Sequence, residues 1–172
     1  FFFLFSGQSF SQSNIKTEKG NKIEILNANT LEFEELNGKK VKRLIGNVRL
    51  KHDEALMFCD SAYIFSNTNT MDAFSNVRIT QGDSLKIFGD SLKYNGNTKI
   101  AILRGDVRLI NKDVTLTTNF LDYNRTTNIS YYYGGGTMVN QKENNTLTSN
   151  QGYYHTNTES FYFKTDVVLI NP

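Results

Sequence analysis

The sequence predicts an all-β fold: an open two-sheet β-jelly roll, a folded-over antiparallel trough built from about five 30-residue two-strand repeats. Two independent motifs recur with a period near 30 residues. Apolar residues alternate within each motif, as in strands with one buried face. Turn formers and aromatics are enriched together, with 21 Asn and 17 Thr beside 13 Phe and 9 Tyr and a single Pro, a composition suited to many short strands and turns. A chain of 172 residues can bury the core of one domain. The net charge of +2, with no Lys/Arg-rich helix, points away from a nucleic-acid partner.

The N-terminal run Phe1-Phe2-Phe3-Leu4-Phe5 is apolar without alternation and is followed by small and polar residues to Gln12. Residues 1–13 therefore read as a signal-peptide remnant, the end of its apolar stretch and its cleavage zone, or as a disordered N-terminus. Residues 14–172 then form the exported domain. Five residues cannot cross a bilayer, which takes about 20.

The first recurring motif is Gly46-Asn47-Val48-Arg49-Leu50, followed by Ser75-Asn76-Val77-Arg78-Ile79, Gly105-Asp106-Val107-Arg108-Leu109, a degenerate Gly136-Thr137-Met138-Val139-Asn140, and Thr165-Asp166-Val167-Val168-Leu169. Its central residues, Val48, Val77, Val107, Met138 and Val167, are spaced by 29, 30, 31 and 29. The second motif ends in Phe33, Ile64, Tyr94, Tyr123 and Tyr154, preceded two places earlier by Leu31, Ala62, Leu92, Leu121 and Gly152. Seven places earlier stand Leu26, Met57, Ile87, Leu116 and Leu147, and five places earlier the small residues Ala28, Cys59, Gly89, Thr118 and Ser149. The alternation slips by one residue between these columns, which demands a bulge or corner. Position −4 is always Asn or Asp (Asn29, Asp60, Asp90, Asn119, Asn150). Asx tolerates left-handed backbone, so the chain is expected to bend there.

Turns separate the motifs. Asn37-Gly38 and Asn95-Gly96 are hairpin signals, and His52-Asp53-Glu54, Gln81-Gly82-Asp83 and Asn111-Lys112-Asp113 close the other ends. About ten strands result, every second one bent. At about 4.8 Å per strand they stack over roughly 50 Å and leave an open sheet edge at each end.

Several motifs are better explained by the repeat than by chemistry. Gly82-Asp83-Ser84-Leu85 and Gly89-Asp90-Ser91-Leu92 spell an esterase nucleophile block, but neither His52 nor His155 has the Asp three places earlier that activation of such a serine requires. Asp60 and Asp90 belong to a column whose other members are Asn, so they are not an acid/base pair. The two histidines lack metal-ligand spacing, and Cys59 has no disulfide partner. Three Asn-x-Ser/Thr sites are within chance for this composition. No catalytic residue, cofactor or metal is expected.

From about Lys22 to Pro172 the sequence resembles the OstA/LptA-type lipopolysaccharide-transport domain of Gram-negative envelopes. The resemblance lies in the Gly-Asn/Asp-Val-x-Leu strands (Gly46–Leu50, Gly105–Leu109), the Leu-x-Tyr strands (Leu92–Tyr94, Leu121–Tyr123) and the Asp60-Ser61-Ala62 and Asp90-Ser91-Leu92 steps. It implies a periplasmic protein whose interior holds the acyl chains of lipid A and whose copies, or other envelope transport proteins, pair edge to edge into a bridge to the outer membrane. The interior would be lined by Leu26, Leu31, Phe33, Val48, Leu50, Met57, Val77, Ile79, Ile87, Leu92, Tyr94, Val107, Leu109, Leu116, Leu121 and Tyr123. The basic cluster Lys39, Lys40, Lys42 and Arg43 is either a solvated turn or a headgroup contact. Gly134-Gly135-Gly136 and Asn140 break the pattern, which leaves the groove's continuity past residue 130 open. The rival readings are a parallel β-solenoid that binds polysaccharide and a structural envelope module without a ligand.

Overall fold

The structure, a computed structural model, describes residues 22–170; the expected signal remnant lies outside them. The strands are β1 (Glu24–Asn27), β2 (Thr30–Leu36), β3 (Lys39–His52), β4 (Ala55–Phe65), β5 (Thr70–Gln81), β6 (Leu85–Asn95), β7 (Ile100–Asn111), β8 (Val114–Asn124), β9 (Ile129–Asn140), β10 (Asn145–His155), β11 (Ser160–Lys164) and β12 (Val168–Ile170). All pairings are antiparallel between successive neighbours, with β1 and β2 both on β3 and β11 and β12 both on β10. The ten expected strands become twelve because the first and last are severed at the bend. The antiparallel order excludes the parallel solenoid.

Every long strand crosses a bend, so its two halves lie on two facing layers. The bend was expected at the Asx column, but the left-handed backbone is on the facing strands. It falls on Gly46–Asn47 (φ 75° and 47°), Ser75–Asn76 (63°, 53°), Gly105–Asp106 (75°, 42°), Gly134–Gly135 (73°, 98°) and Thr165–Asp166 (64°, 53°). In each repeat this left-handed pair opposes a single Asx of the neighbouring strands, a two-against-one bulge. A left-handed L-residue costs about 1–2 kcal/mol, least for Gly, Asn and Asp, which accounts for the Gly-Asx spelling. The opposing Asx serves as side-chain partner: Asn76 Nδ2 donates to Asp60 Oδ2 at 2.7 Å, Asn47 Nδ2 to Asn29 Oδ1 at 3.3 Å, and Asn150 to Asp166.

The bend also corrects the register of the fourth repeat. Gly134–Gly135 occupies the left-handed pair, so Gly136, not Met138, stands where Val48, Val77 and Val107 stand. Met138 pairs with Leu116 and Leu147, in the row of Leu50, Ile79 and Leu109. The row is uninterrupted, and the missing bulk at Gly136 is supplied by the Tyr132 ring, which a Cβ on Gly136 would meet at 2.5 Å. Gly152 makes room for the same ring, with Tyr132 Oη 2.8 Å from where its Cβ would be. Tyr132 and the two glycines thus stand where Leu103, Val107 and Leu121 stand in the preceding repeat, the one ring reaching over both glycines.

Candidate functional site

The inward columns of the two layers meet face to face. Val48, Leu50, Met57, Val77, Ile79, Ile87, Leu92, Tyr94, Val107, Leu109, Leu116, Leu121 and Tyr123 are all buried, none more than 2% exposed. One apolar body runs through the central repeats. The three remaining interior candidates fall outside it. Leu31 (47% exposed) and Phe33 (76%) lie on β2, at the end of the stack, while on β1 the inward place is taken by Ile25, in register with Leu50 and packed on the core, so that Leu26 (43%) falls at the irregularity beside it and stays exposed. The sheet is open, as expected, with no strand pairing between its two lips; side chains bridge the gap.

What bridges it is polar. The aromatic column carries its hydroxyls to one lip, and the residues four places beyond the Val column, His52, Gln81 and Asn111, reach it from the other. His52 Nδ1 lies 2.7 Å from Tyr94 Oη, and Arg125 Nη1 donates to Tyr94 Oη at 2.6 Å and to His52 Nδ1 at 3.3 Å. Because a guanidinium only donates, that His52 nitrogen accepts. Arg125 also donates through Nη2 to the His52 carbonyl at 3.2 Å and through Nε to Gln81 Oε1 at 2.9 Å. Gln81 Nε2 donates to Asn128 Oδ1 at 3.3 Å, and Asn111 Nδ2 to Tyr154 Oη and the Thr156 carbonyl at 2.7 and 2.9 Å. Two ion pairs lie over this seam, Lys99–Asp53 at 2.9 Å and Lys112–Glu159. His52, Asn111 and Arg125 are buried.

The electrostatics follow from burial. The hydrogen bond from Lys99 holds the Asp53 carboxyl below the usual range. Burial pushes the Tyr94, Tyr123 and Tyr154 hydroxyls up, against the opposing pull of Arg125, Thr156 and Asn111. Burial raises the Cys59 thiol to about 11, so it is an inert part of the wall.

The lips do not meet turn for turn. The turn after β3 meets that after β6, the turn after β5 meets that after β8, and the turn after β7 meets that after β10. The start of β1 meets the turn after β4, where Ile23 N donates to Asn69 Oδ1 at 3.0 Å. The offset is three strands, about 14 Å. It leaves the turn after β2 beyond one end of the seam and the turn after β9 beyond the other.

The basic cluster does not form one patch. Arg43 is engaged by Glu32 and Glu34 at 3.3 and 3.2 Å, which raises its pKa. Lys42 lies in register between Phe33 and Ile64, half-buried, while Lys39 and Lys40 are exposed at the turn. Only Lys39, Lys40 and Lys42 remain available to an anionic headgroup. Among the described residues no group of three His, Cys, Asp or Glu is arranged to hold a metal, and no helix is long and apolar enough to cross a membrane. Ser91 pairs with Phe74 and Arg104 beside the bend, whereas His52 is enclosed in the seam. The seam was missed in the sequence; its one signal there is that His52, Gln81 and Asn111 are polar residues in the inward phase.

The family model described as OstA-like protein matches residues 20–172. No curated protein matches. Among solved structures, the chain is similar to LptH of Pseudomonas aeruginosa, described as the LptA-homologous periplasmic component of the conserved lipopolysaccharide transport device. The identity is 15% and the TM-score 0.61, over 69% of this chain and 94% of that one. That likeness gives the fold, an open antiparallel β-jelly roll.

Proposed function

Because the chain belongs to the OstA-like protein family, we propose that it is a non-enzymatic periplasmic component of lipopolysaccharide transport that shelters lipid A acyl chains between its two layers. The observation that carries this is the seam: an apolar body spanning several repeats is bridged along one side by side-chain hydrogen bonds and ion pairs, with no strand pairing across it. A folding core without a guest needs no such side, since hydrophobic closure would be cheaper than burying Arg125 and His52. At least eight hydrogen bonds cross the seam among the described residues. At about 1 kcal/mol net each, parting them costs on the order of 8 kcal/mol. Burying one acyl chain of about 12 carbons returns roughly 10 kcal/mol. The two are close enough for the seam to open around a guest and reclose without one. The uncovered apolar residues at both ends, Leu31 and Phe33 on β2 and Val168 to Ile170 on β12, support edge pairing with a second copy or another envelope transport protein.

The test is a tethered seam. In a Cys59→Ala background, Asp53→Cys with Lys99→Cys is bridged by a short thiol cross-linker, and lipopolysaccharide binding is measured before and after. Bridging is expected to reduce uptake at least tenfold. Unchanged uptake overturns entry through the seam, and absence of any acyl-lipid binding by the unbridged protein overturns the transport reading.

A further inference from the structure

We propose that the outside of the bend is a second binding site, a groove for an extended glycan chain, because an alternating Arg–Phe ladder and the Asx row of the bend face each other across it. The inference stands apart from the interior and from its guest.

Along the outer face of one layer, Arg49, Phe58, Arg78, Phe88 and Arg108 are direct cross-strand neighbours on five successive strands. Neighbours stack: the Arg78 guanidinium lies 4.1 Å from the Phe58 ring centre and that of Arg108 4.8 Å from Phe88. Stacking orients the planar guanidiniums, and among the described residues no ion pair occupies those of Arg49, Arg78 or Arg108. The opposite wall is made by residues of the bend, Asp60 and Asp90 of the Asx column and Asp106 of a left-handed pair. Between them runs a cleft of about 810 Å³, continued by one of about 730 Å³ that shares Phe88 and Asp106 with it. In the second cleft the ladder gives way to Thr117, Thr137 and Thr148, in register with Arg108.

The chemistry selects the ligand. Three guanidiniums share the two clefts with four carboxylates, Asp60, Asp90, Asp106 and Asp166, so the groove has no net attraction for a polyanion such as nucleic acid. Planar bidentate groups on both walls suit vicinal hydroxyls, which donate to Asp and accept from Arg. The phenyl rings offer apolar contact for the C–H face of a sugar. The spacing decides between polymers. The motif repeats every second strand, about 9.6 Å at ~4.8 Å per strand, close to the length of two linked pyranose rings. An extended peptide repeats every ~6.8 Å and falls out of phase within two steps. From Arg49 to Arg108 the ladder spans about 19 Å, room for about four sugars.

The experiment presents the intact chain to an array of bacterial surface oligosaccharides and β-1,4-linked N-acetylglucosamine oligomers, alongside a library of extended peptides. Retention of glycans of about four sugars or more is expected, and weaker retention of disaccharides. The triple variant Arg49→Gln/Arg78→Gln/Arg108→Gln is expected to lose at least tenfold in affinity with an unchanged circular dichroism spectrum. If the triple variant misfolds, Arg78→Gln alone, at the centre of the ladder, reads out the same loss. Retention of no glycan, retention of peptides instead, or undiminished binding by the folded variant overturns the proposal.

Discussion

Replacing Arg125 by Met tests whether the seam governs access to the interior. The methionine keeps an unbranched apolar stem in place of the arginine's own but removes three contacts across the lips: those to His52 Nδ1, to the His52 carbonyl and to Gln81 Oε1. At about 1 kcal/mol each, closure weakens by about 3 kcal/mol. A closed protein binds a guest with an affinity reduced by the fraction of molecules that are open. Raising that fraction by about 3 kcal/mol therefore tightens the apparent dissociation constant roughly 100-fold, at ~1.4 kcal/mol per decade. The assay is titration with a fluorescently labelled lipopolysaccharide, with circular dichroism to confirm the β-fold. A variant that keeps its spectrum and binds within threefold of the parent would refute a gating seam, because three lost contacts would then cost closure nothing.

Three further outcomes follow from the geometry. Gly136→Val drives a side chain into the Tyr132 ring and is expected to destabilise by about 1–3 kcal/mol; adding Tyr132→Leu restores the Leu103–Val107 arrangement of the preceding repeat, so urea unfolding of singles and double is expected to be strongly non-additive. Lys99 lowers the Asp53 pKa, so this pair's stabilisation is present above the ordinary Asp range near ~3.9 and is lost as pH falls through the depressed value; thermal melts across that acid window are expected to lose this component in Asp53→Asn. Cys59, with its thiol at about 11 against 9.0, carries about a hundredfold less thiolate than an ordinary cysteine at pH 8, and alkylation by iodoacetamide is expected to be that much slower in the native protein than in urea.

The sequence and the structure agree where the signal is local and repeated. Alternation in the Val and aromatic columns identifies thirteen of the sixteen interior candidates, because inward phase and burial coincide wherever both layers are present. Leu31 and Phe33 carry the same phase, yet burial there depends on a facing layer that this end of the stack lacks, and Leu26 was misplaced by one residue, since Ile25 is the one in register with Leu50. The bend was visible as an Asx column, but Asx on one strand and Gly-Asx on its neighbour both tolerate positive φ, and the two-against-one count assigns it to the latter. The fourth repeat misled through its size, since Met138 resembles Val107 more than Gly136 does and only the Tyr132 ring explains the exchange. The seam depends on a three-strand offset between lips, a product of sheet twist that no column of residues encodes.

That offset gives the molecule two unlike ends. Each half of the fold runs past the other by the same amount in opposite directions, as boards are cut for a half-lap joint. One end offers a ledge with Leu31 and Phe33 bare and the other a ledge with Val168 to Ile170 bare, so a top fits only a bottom. Under the edge pairing proposed above, copies would add head to tail in one polarity, because the two ledges are unlike.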